Sequence, residues 1–181
     1  MTWTKEIPAN PWWLWLGATG AVGAEFLQVL HDVDFPGGPE VRALASARSA
    51  GKKLPFLGCG QVPAGELTVQ EMTPESFEGV DIALFSCGAS VSKEMREAVA
   101  AAGAVMIDNS SAFRMDEDVP LVVPEVNPGD VAWHNGVIAN PNCSTIQMAR
   151  GPEAPARRRG HPPAWWVSHL SGRFRRRQGR H

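Results

Sequence analysis

Several things are scarce or missing in this 181-residue chain, and each absence removes a class of protein. Only three cysteines are present, Cys59, Cys87 and Cys143. They are widely spaced and odd in number, so they form neither a disulfide framework nor a CxxC metal or redox pair. Each is a separate thiol. No apolar run approaches the roughly 20 residues that span a bilayer, and the amino terminus MTWTKEIPAN lacks the apolar core of a signal peptide. A cytoplasmic location is the default expectation. No internal repeat is visible. The apolar fraction of 44% and charged fraction of 20% are those of an ordinary folded domain.

Charge is unevenly placed. Residues 149 to 181 hold nine of the 17 basic residues and one of the 19 acidic ones, so the net charge of -2 divides into +8 there and -10 elsewhere. That stretch is Arg, Pro and Gly with no apolar face to bury, which predicts a disordered tail. Residues 1–11 read as an irregular lead-in, leaving 12–148 as the folded domain.

Within that domain strand and helix alternate. Residues 21–32 have apolar side chains at helical spacing, Val22, Phe26, Val29 and Leu30. Strands are predicted at 41–45, 67–73, 81–86, 104–108, 121–124 and 136–140, and a second helix at 92–103, closed by Gly103. DIALFS at 81–86 is apolar on both faces, as in a parallel sheet covered on each side. The fold class is therefore α/β, a doubly wound, mostly parallel sheet.

Four loops carry candidate chemistry. Gly17-Ala18-Thr19-Gly20-Ala21-Val22-Gly23 fits GxxGxxG: small residues let backbone N–H groups approach a pyrophosphate, and the following helix start adds positive dipole. A plain tight turn between strand and helix would look the same. About 20 residues on, where NAD enzymes place a carboxylate for the ribose 2′-hydroxyl, the chain reads Ser46-Ala47-Arg48-Ser49 and then Lys52-Lys53. A carboxylate would repel a 2′-phosphate. Arg48 can grip one through its planar fork, with Ser46 and Ser49 adding hydroxyl donors, which points to NADP; the alternative is a solvated basic loop.

The third loop, Asp108-Asn109-Ser110-Ser111-Ala112-Phe113-Arg114, sets amide, hydroxyls and guanidinium after a strand end, a group suited to a small phosphate or carboxylate. A capped loop with an exposed arginine is the plainer account. In the fourth, Asn140-Pro141-Asn142-Cys143-Ser144-Thr145, a cysteine stands after a strand at an expected helix start. Such a position favours thiolate and can donate N–H bonds to an oxyanion, although most cysteines are buried and inert. Cys59 in LGCG reads as incidental and Cys87 as packing near the cofactor.

Taken together and in order, GATGAVG, ASARSAGKK, FSCGASVSK, DNSSAFRM, VPEVN and NPNCSTIQM resemble the amino-terminal portion of the aspartate-semialdehyde dehydrogenase family, over roughly residues 16–148. That resemblance implies a Rossmann-like NADP-binding domain and reduction of L-4-aspartyl phosphate to aspartate semialdehyde with release of phosphate, in lysine, threonine and methionine synthesis. It implies that Gly17, Thr19, Gly20, Ala21 and Val22 line the cofactor phosphates, that Ser46, Arg48 and Ser49 hold the 2′-phosphate, and that Ser86 and Gly88 border the cofactor. Asn109 and Arg114 would bind the acyl phosphate, Cys143 would attack the acyl carbon, and Asn142 would help orient it. No metal is implied, nucleic acid and membrane partners are not expected, and the family forms homo-oligomers. N-acetyl-glutamyl-phosphate reductases fit less well because they tend to have Gly-Cys where this chain has Asn142-Cys143. Glyceraldehyde-phosphate dehydrogenases tend to have Ser-Cys-Thr-Thr-Asn.

The family's second domain, which carries a substrate-binding glutamine, an acid/base histidine and the dimer contacts, has no counterpart here, so the chain by itself is expected to be an inactive fragment. His161, His169 and His181 lie in the arginine-rich tail. Both odd ends read like translation in a wrong frame. Tryptophan has the single codon TGG, so a one-base shift of Trp12-Trp13 permits Val-Val, and the strand before the glycine turn becomes Val-Val-Ala-Val-Val. A shift of residues 168–181 permits Ala-Thr-Tyr-Gln-Ala-Val-Ser-Gly, similar to the family's continuation; the nucleotide sequence decides. The competing reading makes Arg157 to Arg159 and Arg173 to Arg177 a nucleic-acid-binding tail on a non-catalytic cofactor-binding fragment, with Trp165 and Trp166 as stacking platforms.

Overall fold

The computed structural model describes residues 11, 13–33 and 40–149. The expectations for the first ten residues, the fit of the early tryptophan side chains and the tail beyond Ala149 lie outside them. The chain divides into two compact units, Met1–Asn142 and Cys143–His181. In the second, the described element is a seven-residue helix, α3 (Cys143–Ala149).

The first unit is built on a six-stranded sheet. β1 (Trp13–Leu16) leads through the glycine turn into α1 (Ala21–Asp32), which returns to β2 (Val41–Ala45). β3 (Lys53–Phe56) and β4 (Gly65–Thr68) form an antiparallel hairpin outside the main sheet, and β5 (Gln70–Glu71) rejoins it. β6 (Ile82–Phe85), α2 (Ala89–Ala101), β7 (Val105–Asp108) and β8 (Val137–Ala139) complete the order β5-β2-β1-β6-β7-β8. Every neighbouring pair in this sheet is parallel. The chain therefore builds outward from β1 on one side and, after returning, outward from β6 on the other. The gap between β1 and β6 is the point where winding direction reverses, and in open α/β sheets ligands bind at the carboxyl ends of the strands there.

Strand side chains alternate between two cores, as a period of two requires. Ala83 and Phe85 of β6 and Leu44 of β2 join Met95 and Val99 of α2, Met106 and Val137 in one cluster. Ile82 and Leu84, with Val41, Ala43 and Ala45, join Leu27 and Leu30 of α1 and Phe56 of the hairpin in the other. Both faces of the sheet are thus covered, which is why β6 is apolar at every position. Phe77 and Phe85, both fully buried, stack with ring centroids 6.0 Å apart.

Three expected elements differ by more than one residue at an end. The strand expected at 67–73 is two short ones, because the Val69 N–H donates to the Lys52 carbonyl and its carbonyl accepts from Gly51, so the chain leaves the hairpin and crosses to β2. The second helix starts at Ala89, not residue 92, since Gly88 at φ +97° serves as its N-cap. The strand expected at 121–124 is reduced to a bridge between Leu121 and Ala139. There the Asn127 side chain accepts from the Val123 N–H and donates to the Leu121 carbonyl, taking groups a longer ladder would use.

Candidate functional site

Because all six strands are parallel, their carboxyl ends share one edge, and the expected site residues of the first unit follow those ends: Gly17 after β1, Ser46 after β2, Ser86 after β6 and Asn109 after β7. Leu16 is in register with Leu44 on one side and Phe85 on the other. Gly17 emerges between them with its N–H and that of Ala18 both donating to the Leu44 carbonyl, at 3.1 and 3.3 Å. Its φ is +91°, and a Cβ placed there would lie 2.6 Å from the Ser86 carbonyl oxygen. Only glycine fits where the end of β1 presses on the end of β6.

Gly20 is the N-cap of α1, and no side chain caps that helix. The first-turn N–H groups of a helix have no intrahelical acceptor, so this end, with Thr19 and Gly20 exposed beside it and Ala21 and Val22 opening the helix, suits an anion. Thr19 reaches across to the loop after β2, its Oγ1 donating to Ser49 Oγ at 3.4 Å. That loop is a 3-10 turn, Ala47–Ser49, preceded by Ser46; Ser46 and Arg48 are exposed and Ser49 is half-buried. The glycine turn and the basic loop are thereby brought together, as the spacing of the two motifs suggested. Ser86 is half-buried and Gly88 exposed at the end of β6.

On the far side of β6, the loop after β7 is bound to the end of β8. Asn140 donates its side-chain amide to Asn109 Oδ1 at 2.7 Å and its backbone N–H to the Asp108 carbonyl at 2.8 Å. Arg114 Nε donates to the Asn140 carbonyl and its Nη2 to the Asn109 carbonyl, each at 2.9 Å. Half-buried Arg114 is therefore held as a strut between two loops, with further guanidinium N–H groups beyond those two bonds. Ser92 was not singled out from sequence, and Asp108, Ser110 and Asn140 were named only as members of candidate loops, without a role of their own.

Asn142 ends the first unit and is exposed; Cys143 is the first residue of α3 and exposed. The other thiols are more enclosed. Cys59 is buried, and Cys87 is half-buried, its thiol pushed up chiefly by burial, with the negative charge of Asp108 adding to this and a hydrogen bond with Ser92 opposing it. Brief iodoacetamide treatment followed by peptide mapping is expected to label Cys143 first, Cys87 more slowly and Cys59 last. Labelling of Cys87 ahead of Cys143 would contradict this account of the thiols. Among the described residues no cluster of His, Cys, Asp and Glu is suited to a metal ion, and no helix is long and apolar enough to cross a membrane.

A parallel sheet covered on both faces, with a glycine turn at its switch point and a helix start without a side-chain cap behind it, defines a dinucleotide-binding domain of the doubly wound α/β class. The chain belongs to the semialdehyde dehydrogenase family, whose NAD binding domain matches residues 15–134. It is 58% identical over 133 residues to aspartate-semialdehyde dehydrogenase of Bacillus subtilis, a match covering 74% of this chain and 36% of that protein. Among solved structures it is similar to aspartate semialdehyde dehydrogenase II of Vibrio cholerae complexed with ASA, at 46% identity and a TM-score of 0.70, covering 77% of this chain and 44% of that one. It is also similar to the Candida albicans enzyme with NADP, at 28% identity and a TM-score of 0.64, covering 84% and 48%. The first two curated relatives it matches are covered over 36% and 42% of their length.

Proposed function

We propose that this chain is the NADP-binding part of an enzyme that reduces L-4-aspartyl phosphate to L-aspartate 4-semialdehyde through a thioester on Cys143. The observation that carries the cofactor half is the joined pair of loops: a glycine turn that tolerates no Cβ, bonded through Thr19 and Ser49 to a loop bearing Arg48. Gly17, Gly20 and the start of α1 at Ala21 and Val22 would hold the pyrophosphate. Ser46, Arg48 and Ser49 would hold the 2′-phosphate, and Ser86 and Gly88 would border the nicotinamide side. When bound, the cofactor supplies a hydride to the acyl carbon.

The substrate half rests on the chemistry of its residues. The Cys143 thiolate attacks the acyl carbon, the C–O bond to phosphate breaks, and inorganic phosphate leaves with the electron pair, so a thioester replaces an acyl phosphate. Arg114, with Asn109 beside it, would neutralise the phosphate, and Asn142 would orient the acyl group. The V. cholerae and C. albicans relatives, one with ASA and the other with NADP, support both halves of this reading.

Equilibrium titration tests the cofactor assignment. NADP is expected to bind about tenfold or more tightly than NAD, the value of one charge-assisted contact, and Arg48→Glu is expected to reverse the order. Equal affinities in the unaltered chain would remove the 2′-phosphate reading of Arg48.

A further inference from the structure

Asp108 is fully buried at the end of β7, and its carboxylate meets only hydroxyl groups among the described residues. Ser92 Oγ of α2 donates to Oδ1 at 2.7 Å and Ser110 Oγ donates to Oδ2 at 2.6 Å. A hydroxyl has one proton, so Ser110, having given its proton to the carboxylate, presents lone pairs and accepts the Ala112 N–H at 3.0 Å. The direction of that second bond follows from the first. Ser92 also has the Gly88 carbonyl within reach at 3.1 Å, but the shorter, charged acceptor takes its proton.

The loop so directed, from Asn109 to Ala112, is the one whose Asn109 and Arg114 grip Asn140. α2 holds the same loop further along. Four residues after Ser92, and so on the same helix face, Arg96 pairs with Asp118 at 3.1 Å and Asp116 at 3.7 Å and lies 5.2 Å from the Phe113 ring centroid. A buried carboxylate without a cation is a costly thing to keep unless its directional bonds are used. We propose that Asp108 is a positioning residue of the substrate side: through Ser110 it sets the loop that presents Asn109 and Arg114, an assignment whose functional meaning rests on those two residues receiving the acyl phosphate.

What the loop needs from position 108 is an acceptor facing Ser110, and not the charge itself. Asparagine meets that need, because its Oδ1 can accept from Ser110 while its amide donates to Ser92, whose proton then turns to the Gly88 carbonyl. Leucine, of similar size, cannot.

The test uses the full chain and the variants Asp108→Asn, Asp108→Leu and Ser110→Ala, read by amide hydrogen exchange and by titration with inorganic phosphate and with NADP. In Ser110→Ala and Asp108→Leu, exchange in 109–114 and 140–142 is expected to rise about tenfold, as for the loss of one buried hydrogen bond, and phosphate affinity to fall by a similar factor, while β6 exchange and NADP affinity change by less than about twofold. Asp108→Asn is expected to match the unaltered chain. If Asp108→Leu does not fold, the smaller Ser110→Ala change decides. Unchanged exchange in Ser110→Ala, loosening spread through the whole sheet, or an asparagine variant as loose as the leucine one would overturn the assignment. A chain that loosens locally as described, yet binds no phosphate even unaltered, keeps the Asp108 role and overturns the phosphate reading of Arg114 instead.

Discussion

Replacing Cys143 with serine, in a hybrid that joins residues 1–148 to the remaining length of the Bacillus subtilis relative, is expected to slow phosphate release from L-4-aspartyl phosphate on the order of 10³-fold or more, the scale seen when a covalent nucleophile is removed. A thiol is a few per cent ionised at neutral pH and intrinsically nucleophilic, whereas a serine hydroxyl needs a partner base. The neighbours of Cys143 in the chain, Asn142, Ser144 and Thr145, are polar but are not bases. Cys59→Ser and Cys87→Ser serve as controls: one thiol is buried and the other is held toward its protonated form by burial, so neither should contribute. The measurement is single-turnover phosphate release at neutral pH. A serine variant that releases phosphate at the unaltered rate would place the chemistry elsewhere.

Gly17→Ala is expected to be the most damaging single change in the first unit, at about 3 kcal/mol or more, a large share of the 5 to 15 kcal/mol that holds a typical domain folded. Two penalties combine. A side chain at φ +91° is strained whatever the space around it, and the added Cβ would meet the Ser86 carbonyl oxygen at 2.6 Å. Neither partner can yield cheaply, because Gly17 is pinned to the Leu44 carbonyl and Ser86 follows the buried strand β6. Gly51→Ala separates the two penalties, since Gly51 has φ +81° with open space around it and should lose only about 1 kcal/mol. Urea denaturation gives both values, and equal losses at the two positions would show that the contact with β6 does not matter. Dinucleotide affinity should fall with Gly17→Ala and stay with Gly51→Ala.

How much could be seen in advance depended on how local each cause was. α1 and β2 have the limits that apolar spacing indicated, 21–32 and 41–45, because the apolar pattern of each is carried by its own consecutive residues. The glycine turn and the Ser46–Ser49 loop were expected to serve one cofactor, and they lie together because a strand, turn and helix return the chain to that place; the Thr19–Ser49 contact itself was not foreseen. The hairpin was not legible. KLPF contains a proline and GELT opens on a glycine, poor strand formers that pair with one another only because Val69 is tied back to residues 51 and 52. Arg114 shows the same limit at the site. Its residue type and loop pointed to an anion, yet two of its donors go to main-chain carbonyls, one of them 26 residues away. Asp108 was hidden for a related reason: burial and two hydroxyl partners, one on a helix 16 residues earlier, have no signature in the local pattern.

The most direct test is the mass of the tryptic peptide carrying Cys143 in the hybrid of residues 1–148 with the remaining length of the Bacillus subtilis relative, taken after it meets L-4-aspartyl phosphate and again after a reduced nicotinamide is added. An aspartyl thioester should form on that peptide with loss of phosphate and then discharge as aldehyde, faster with NADPH than with NADH. An acyl group found on Cys59 or Cys87, found nowhere, or discharged equally well by both cofactors would contradict the proposed roles of Cys143 and Arg48.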